Sequence, residues 1–509
     1  MRINHTVLIL FYSLLIVVPL SGITRGTKIE KWKRFEARFE HRSWRGNPFA
    51  IILKGIFVSP SGRTMKQFGF YEGNDSWKLF FMPDEEGQWT YKTESPEAAL
   101  NGKEGRFTCT PSNLEGLLTT ANNRWAITSN GGDFPVIWNP PVSDGMHWGF
   151  RGRDYSDSSV RKALKYAEEI VGARLLGFGE LFITPIDWAK DWPQSAVPYV
   201  VGHEGDEFYI PFWDQLNLKL DAARDRNMGT YIMLYGDDAM TPDHFGLKPR
   251  SDKELCLFRY VVARLACYPQ VLWDSGIDIG EYRDAQWIDW YVAWFQNNDP
   301  WHHPAGSRSG GGSGGIMPAS GSYYSTGGAS LPGCDLLLNI YQESKVPVAH
   351  TDHWRPFIKR GSWTNRKIRI AMWRCGLTGA QALYPDYNQG KIDTTRVREG
   401  GQYIGSAMNF FRREIRSNLL ELEPHNEFIV NGDNAILAAN PGKEYIVYDE
   451  NGGSFTIEIS ETSGMFYVNW YNPRNGETIP HHTIQGHRSL TFRCPSNGED
   501  WVLHIFKDE

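Results

Sequence analysis

The middle of the chain alternates strand-like runs with amphipathic ones, and this alternation limits the fold more than any other feature. The run GTYIMLYGDD, for example, precedes DKELCLFRYVVARLACYP, whose apolar residues recur at helical spacing. The strand candidates are DFPVIWNPP, ARLLGFGEL, GTYIMLYGDD, VLWDSGID, HHPAGSRS, LLLNIYQE, PVAHTDHW and AQALYPDYN. Eight such units predict a central (β/α)₈ TIM barrel. An open doubly wound sheet is the other possible arrangement, but no G-x-G-x-x-G turn opens a helix, so a dinucleotide site is unsupported.

The regions on either side of this alternation have a different pattern. Residues 27–113 and 426–509 consist of short β-like runs separated by Gly, Pro and Asn turns, which predicts two small antiparallel β-sandwich domains. The predicted catalytic barrel occupies residues 114–425. Within it, the run GSRSGGGSGG at residues 306–315 predicts a flexible loop at the mouth of the barrel.

The first 26 residues predict a compartment. A short basic start precedes an apolar run from Val7 to Leu20, and this run is too short to span a bilayer comfortably. Residues 1–26 are therefore predicted to be a signal peptide, with a signal-anchor as the alternative. No later segment is apolar enough to span, so a soluble protein, secreted or periplasmic, is expected after export.

Composition argues against some partners and cofactors. The net charge is −6 and there is no basic block, which argues against nucleic acid. Aromatic residues make up 14% of the chain, and they serve either core packing or stacking on sugars. Cys256 and Cys267 lie in one predicted helix, too far apart for a disulfide. Most of the six cysteines are expected to be buried thiols, and no spacing resembles a zinc site, so no cofactor is predicted.

The carboxyl ends of the predicted strands are rich in acidic and aromatic residues, and this is where a (β/α)₈ barrel places its active site. The candidate substrate-binding residues are Glu180, Trp188, Asp237, Asp238, His303, Arg308, His350, Trp354, Arg355, Tyr384 and Asp386. A single acid at such a position is also typical of a helix N-cap, and Asp284 has that pattern.

Alternation of side chains along the fourth strand ranks its acids. The outward face is predicted to carry Val271, Trp273 and Ile277, and the inward face Leu272, Asp274, Gly276 and Asp278. Asp278 is thus directed at the mouth. Glu281 has the opposite parity and reaches the mouth only if the chain bends at Gly280.

On the seventh strand Val348, His350 and Asp352 are predicted to point inward together. Strands four and seven lie on opposite sides of an eight-stranded barrel, so Asp278 would face Asp352. Two carboxylates across a sugar-sized cleft are what glycoside hydrolysis requires. The candidate catalytic residues are therefore Asp278, Asp352 and Glu281. His350 and His353 could instead bind a metal with Asp352, but their opposite parity disfavours that reading.

Three parts of the sequence resemble known families. NPFAIILKGIFVSPSGRTMKQFGFYEG and MPDEEGQWTY resemble the β-sandwich that precedes many bacterial carbohydrate-active barrels. NPGKEYIVYDENGGSFTIEIS and GMFYVNWYNPRNGE resemble a small C-terminal sandwich labelled collagen-binding, a label that is not a function. The middle resembles the apiosidase-like glycoside hydrolase barrels through YVVARLACYPQVLWDSGID, DPWHHPAGSR and GLTGAQALYPDYN.

The apiosidase-like resemblance implies roles for two acids. The strand-four motif W-x-x-G-N-E of that family falls on residues 273–278, so Asp278 takes the position of the acid/base Glu. Ile277 replaces an Asn that binds a sugar hydroxyl in the family. The second carboxylate falls on Asp352.

Together these features predict an exported glycoside hydrolase that acts on a plant or algal polysaccharide or its oligosaccharides. A polysaccharide lyase is one alternative, with His350 as the base and Arg308 or Arg355 holding a uronate. A non-catalytic glycan- or matrix-binding protein is the other, and the altered motif is its main support. The oligomeric state and the linkage stay open.

Overall fold

The computed structural model describes residues 27–121, 123–129, 131–138, 155–177, 197–200, 202–203, 205–236, 241–308, 321–326, 331–350, 364–383, 394–459, 463–486 and 489–507. No helix in these ranges is both long and apolar enough to cross a membrane. Along the chain, one sheet-rich region precedes and another follows a region of alternating strands and helices.

A folded-over sheet forms the first region. Its strands are β1 (Lys28–Glu30), β2 (Phe35–Glu40), β3 (Lys54–Val58), β4 (Thr64–Gly73), β5 (Ser76–Phe81), β6 (Gly87–Glu94) and β7 (Glu104–Thr110), in the order β1-β7-β6-β3-β4-β5-β2. The first half of β4 pairs with β3 and the second half with β5, so the sheet turns over on itself at this strand. Phe35 of β2 consequently stacks on Phe107 of β7, with 4.1 Å between the ring centroids.

Parallel strands make up the middle region, after an antiparallel sheet of β8 (Leu118–Ala121), β9 (Arg124–Ile127) and β10 (Gly131–Gly132). One parallel sheet contains β11 (Ile137–Trp138), β12 (Leu175–Gly177), β13 (Gly229–Tyr235), β14 (Val271–Gly276) and β15 (Ala305–Gly306). The other contains β16 (Tyr324–Thr326), β17 (Val348–His350) and β18 (Ala380–Leu383). The sheets adjoin at both edges: the Ser322 amide donates to the Ala305 carbonyl at 2.8 Å, and β18 lies against β11.

Helices connect most of these strands. They are α1 (Ser158–Tyr166), α2 (Ile210–Arg224), α3 (Asp252–Leu265), α4 (Ala285–Asn298), α5 (Cys334–Glu343), α6 (Asn365–Thr378) and α7 (Thr394–Asn409). Side-chain caps begin three of them, because the side-chain oxygens of Ser251, Asp284 and Thr364 accept a backbone N–H three residues later. The predicted cap at Asp284 is confirmed.

The prediction for the sixth strand was wrong. LLLNIYQE lies in α5, where Leu337 and Tyr341, one helical turn apart, are buried while Leu336 is 53% exposed. A short apolar run does not by itself distinguish a buried strand from a helix. The strand at this place in the order is β16, a short and partly polar segment that sequence pattern did not reveal.

An inner cluster of side chains lies between the two parallel sheets and the β8–β9 hairpin. It consists of Leu118, Trp125, Ile127, Ile137, Leu175, Tyr231, Met233, Leu272, Ile277, Tyr323 and Ala349. Strands of both sheets thus bury their side chains in one shared interior.

The N-terminal sheet packs against α2, α3 and the amino-terminal side of β15. Gln67 of β4 donates to the Val262 carbonyl of α3 at 3.2 Å. Arg34 pairs with Asp221 of α2 at 2.9 Å. The Trp301 indole, just before β15, donates to the Met82 carbonyl at 3.0 Å. These contacts join the first region to the outer helices of the second.

Two further sheets form the C-terminal region. The larger has the order β19-β21-β22-β27-β24-β25 and the smaller the order β20-β23-β26. The strands are β19 (Glu423–Pro424), β20 (Ile429–Asn431), β21 (Ala435–Asn440), β22 (Glu444–Asp449), β23 (Ser454–Glu458), β24 (Met465–Asn472), β25 (Glu477–Gln485), β26 (Ser489–Arg493) and β27 (Trp501–Phe506). Alternate side chains of both sheets, among them Val447, Phe455 and Leu503, share one apolar core, as in a sandwich.

A buried ion pair holds this sandwich against α6. Arg369 donates to both carboxylate oxygens of Asp500, each at 2.7 Å, and the Tyr448 hydroxyl donates to the same carboxylate at 2.9 Å. Burial opposes ionisation of Asp500, but the hydrogen bonds from Arg369 outweigh it and lower the pKa of Asp500. Trp373 stacks on Tyr448 beside the pair, with 5.5 Å between the ring centroids.

The six cysteines are all free thiols. Five are buried, as predicted for most of them, and Cys334 is half-buried. Cys256 lies within α3 and Cys267 just beyond its end. The described residues contain no group of three or more His, Cys, Asp and Glu side chains that could hold a metal ion.

The Arg369–Asp500 pair gives a stability prediction. Arg369→Met should lower the free energy of unfolding by about 3 kcal/mol, because Asp500 stays buried and loses both guanidinium hydrogen bonds, and the cation that remains, Arg474, is 3.5 Å from Oδ1. Urea unfolding followed by tryptophan fluorescence measures this. The stabilisation from a lowered carboxyl pKa is present above the ordinary Asp value of about 3.9 and is lost as pH falls below it, so the difference from wild type should shrink in acid.

The matched control is Arg366→Met on the same helix. Arg366 also contacts the C-terminal sandwich, through the Glu450 carbonyl, but it is exposed. Its loss should cost less than about 1 kcal/mol. Equal effects of the two substitutions would contradict the assigned role of the buried pair.

Candidate active site

The turn after β14 is built around a glycine that no other residue can replace without strain. Gly276 has φ 149°, and a Cβ atom there would lie 2.5 Å from the Tyr235 carbonyl oxygen of the neighbouring strand. The next amide, of Ile277, donates to that same carbonyl at 3.0 Å. The end of β14 is thus held closely against the end of β13.

Several contacts anchor the rest of this turn. The Tyr282 hydroxyl donates to the Ile277 carbonyl at 3.0 Å. Arg283 is 5% exposed and donates to the Asp243 carboxylate and the Leu247 carbonyl, in the segment that follows β13. The turn then ends at the Asp284 cap of α4. These contacts hold the chain on both sides of residues 278–281.

The two acids of this turn have different settings. Asp278 has φ 45° and ψ 36°, a left-handed conformation that Asp tolerates better than most residues, and it is partly exposed. Glu281 is exposed and ends a short 3₁₀ turn, Ile279–Glu281. Neither carboxylate forms a hydrogen bond or ion pair within the described part of the chain. Both are therefore available to a ligand at the carboxyl end of the strand.

A third carboxylate, Asp274, lies beneath the turn. It is completely buried, and it accepts hydrogen bonds from the Tyr231 and Tyr323 hydroxyls at 3.0 and 2.8 Å. It also accepts from the amides of Gly276 and Arg308, each at 3.0 Å. Burial raises the pKa of Asp274, although all four donors oppose the shift.

Strand alternation predicts an inward Asp274 but does not mark it as a site residue. The available signal was an ionisable residue in the middle of a strand whose six residues are all buried. Such a residue needs hydrogen-bond donors around it. Those donors come from residues 231, 276, 308 and 323, and only the fold brings them together.

Alternation along β14 holds for its first residues and then stops. Leu272 belongs to the inner cluster, whereas Trp273 faces α4 and contacts Phe295 with 5.0 Å between ring centroids, as predicted. Ile277 was predicted to face outward, but it lies in the inner cluster. The reason is that β14 ends at Gly276, so parity does not extend to Ile277 or Asp278.

The parity assigned to the seventh strand was also wrong. Ala349 belongs to the inner cluster, whereas Val348 packs in the large hydrophobic core outside that cluster. His350 is buried at the end of β17 and has the parity of Val348, not of an inward residue. A register shift between residues 348 and 349 in the pairing of β17 with β18 accompanies this difference.

His303, a candidate for the carboxyl end of the fifth strand, lies at the other end of that strand. His303 precedes β15, and its ring is 2.7 Å from the buried Asp299 carboxylate at the end of α4. Burial opposes ionisation of Asp299, but the neighbouring His303 lowers its pKa. Arg308 alone follows β15; it is 5% exposed, with Nη1 3.8 Å from the Met233 sulfur. Because β15 has only two residues, His303 before it and Arg308 after it are close in sequence, and both were assigned to its carboxyl end.

The remaining candidates lie outside the described residues. They are Asp352, Glu180, Trp188, Asp237, Asp238, Trp354, Arg355, Tyr384 and Asp386. The proposed opposition of Asp278 and Asp352 therefore stays a prediction.

Both terminal regions match family models. Residues 28–96 match a family described as "Domain of unknown function (DUF5060)". Residues 424–505 match one described as "Putative collagen-binding domain of a collagenase". No curated protein matches the chain.

Solved structures match between 77% and 95% of the chain. A protein described as a putative glycoside hydrolase from Bacteroides vulgatus ATCC 8482 is 17% identical with a TM-score of 0.76, over 95% of this chain and 100% of that one. A glycoside hydrolase family 5 protein from the same strain is 13% identical with a TM-score of 0.62, over 78% and 96% of the two chains. A third, described only as a glycoside hydrolase, is 12% identical with a TM-score of 0.61, over 77% and 98%. The chain shares the fold of these proteins.

The glycine of the turn gives a prediction. Gly276→Ala should destabilise the protein by about 2 kcal/mol, because its Cβ meets the Tyr235 carbonyl and its φ is strained for alanine. Gly280→Ala, at an exposed position of the same turn without positive φ, should have little effect on the urea midpoint. A Gly276→Ala protein as stable as the Gly280→Ala protein would contradict the account of the turn.

Proposed function

We propose that the chain is an exported glycoside hydrolase that cleaves glycosidic bonds in a plant or algal polysaccharide or its oligosaccharides. The observation that carries the proposal is the anchored turn after β14. It holds a partly exposed carboxylate, Asp278, at the carboxyl end of a parallel strand, and this carboxylate has no partner in the described ranges. The fold shared with proteins described as glycoside hydrolases supports the same conclusion.

In this proposal the chemistry uses two carboxylates. Asp278 protonates the leaving oxygen, and Asp352 attacks the anomeric carbon or activates water. Glu281, three residues away and exposed, is the rival acid or helper. A carboxyl separation of about 5–5.5 Å would mean retention of configuration, and one of about 6.5–9.5 Å would mean inversion.

The proposed scaffold is a single (β/α)₈ barrel of the apiosidase-like kind, formed by closure of the two parallel sheets. The shared inner cluster and the Ser322–Ala305 hydrogen bond support this closure. The mouth of such a barrel lies at the carboxyl ends of the strands. Arg308 follows β15 at that end and would bind sugar hydroxyls or a uronate carboxylate.

Export is part of the proposal and rests on residues 1–26, with their basic start and apolar run. The mature chain would then meet its polysaccharide outside the cytoplasm.

One observation favours a second candidate, a non-catalytic glycan-binding protein. Ile277 occupies the position where the family has a sugar-binding Asn, and its side chain is buried in the inner cluster. It can neither reach nor hydrogen-bond a sugar hydroxyl. A chain that has lost this contact could keep binding without turnover.

Sugar release by the wild type separates the two candidates, and Asp278→Asn tests the assigned acid. The purified protein is incubated with citrus pectin, arabinoxylan, xyloglucan and laminarin, and released reducing ends are measured. On any glycan that the wild type cleaves, Asp278→Asn should lower kcat by about a hundredfold or more, because the general acid is lost. Glu281→Gln and Asp352→Asn, tested alongside, identify the partner carboxylate.

The matched control is Asp433→Asn, at an exposed turn of the C-terminal region, which should keep wild-type activity. Full activity of Asp278→Asn would disprove the assignment. A wild type that binds one of the glycans but releases no sugar would favour the binding protein. Products that absorb in the near ultraviolet would indicate a lyase.

A further inference from the structure

The two carboxylate oxygens of Asp274 have different kinds of donor. Oδ1 accepts only from backbone amides, those of Gly276 and Arg308. Oδ2 accepts only from the hydroxyls of Tyr231 and Tyr323. A hydroxyl can turn toward another acceptor, and that of Tyr323 is also 3.1 Å from the Trp273 carbonyl. An amide cannot, so Oδ1 is the oxygen whose contacts fix geometry.

The two amides bound by Oδ1 belong to segments that the candidate site uses. Gly276 begins the turn that carries Asp278 two residues later. Arg308 is the second residue after β15. Because both amides bind the same oxygen atom, the two segments are held at a fixed separation where they leave the sheet.

We propose that Asp274 is a positioning residue: through Oδ1 it holds the Asp278 turn and the Arg308 segment in the relative arrangement that catalysis needs. This inference rests on the hydrolase function proposed above. Asp274 itself is completely buried and is not expected to touch the substrate.

The fold around Asp274 does not depend on its carboxylate alone. The Tyr291 hydroxyl of α4 donates to the Asp274 backbone carbonyl at 2.9 Å, and β13 and β14 are paired through backbone bonds from residue 271 onward. Variants at this position should therefore keep the sheet but lose the two amide hydrogen bonds to Oδ1, which we call the clamp.

Two substitutions distinguish the oxygens. Asp274→Asn keeps a carbonyl oxygen for the two amides, and its NH₂ group faces hydroxyls that can accept. Asp274→Leu has similar size but leaves both amides without an acceptor. On the panel glycan that the wild type hydrolyses, Asp274→Leu should lower kcat by about a hundredfold with KM changed less than about threefold, because misplaced groups lose near-attack geometry. Asp274→Asn should recover most of that loss.

Arg369→Met serves as the control for general destabilisation. It weakens a distant interface, so its kcat below the unfolding transition should equal that of wild type. A loss in Asp274→Leu that Arg369→Met does not share comes from positioning.

Hydrogen exchange of the substrate-free protein provides a second readout, which needs no activity. In Asp274→Leu the amides of residues 276–281 and 306–308 should exchange at least about tenfold faster than in wild type. In Arg369→Met they should not change.

The outcomes separate the two proposals. Wild-type kcat or unchanged exchange in Asp274→Leu overturns the role of Asp274, as does an Asp274→Asn protein that loses as much kcat as Asp274→Leu. A wild type that hydrolyses none of the four glycans refutes hydrolysis for this panel. In that case faster exchange in Asp274→Leu still supports the clamp, and unchanged exchange overturns it.

Discussion

A carboxylate buried among apolar side chains is the constraint on which the middle of this protein depends. Removing a charge from water costs several kcal/mol unless donors replace its hydration. Asp274 meets four such donors, from β13, from the turn after β14, from the end of β15 and from just before β16. Through these hydrogen bonds that one side chain links four neighbouring strands, and it does so at the carboxyl ends of β14 and β15. The end of β14, held in this way, determines where the candidate catalytic turn begins.

The turn itself shows how a rigid scaffold can present reactive groups. Ile277 is drawn into the inner cluster, Arg283 ties the chain to the segment after β13, and Asp284 caps α4. Between these anchors, Asp278 and Glu281 have no side-chain partner among the residues that the structure describes. Placing functional groups on a short loop held by packed elements is the usual division of labour in such folds. The same anchoring buries Ile277, which stands at the position of a sugar-binding Asn in the apiosidase-like proteins that the sequence resembles.

The two sheet-rich terminal regions contact the middle region on its outer side. The N-terminal sheet packs on α2 and α3 and reaches the amino-terminal side of β15 through Trp301 and Met82. The C-terminal sandwich grips α6 through Arg369 and Trp373. These contacts lie on the outer helices and at the amino-terminal side of the strands, so they leave the turn after β14 uncovered. We infer that these domains brace the helical layer, whatever else they bind.

Local sequence pattern predicts the order of the three regions, seven of the eight parallel strands in the described ranges, the Asp284 cap and the inward direction of Leu272 and Asp274. These features depend on local periodicity and capping, which neighbouring residues encode. Only the tertiary structure decided that LLLNIYQE is helical, that β14 stops at Gly276, that Ala349 and not His350 faces inward, and that His303 lies at the opposite end from Arg308. The donors around Asp274 are likewise visible only in three dimensions. Strand ends and hydrogen-bond partners are set by contacts between residues far apart in the chain, such as Gly276 with Tyr235, and no local pattern records them.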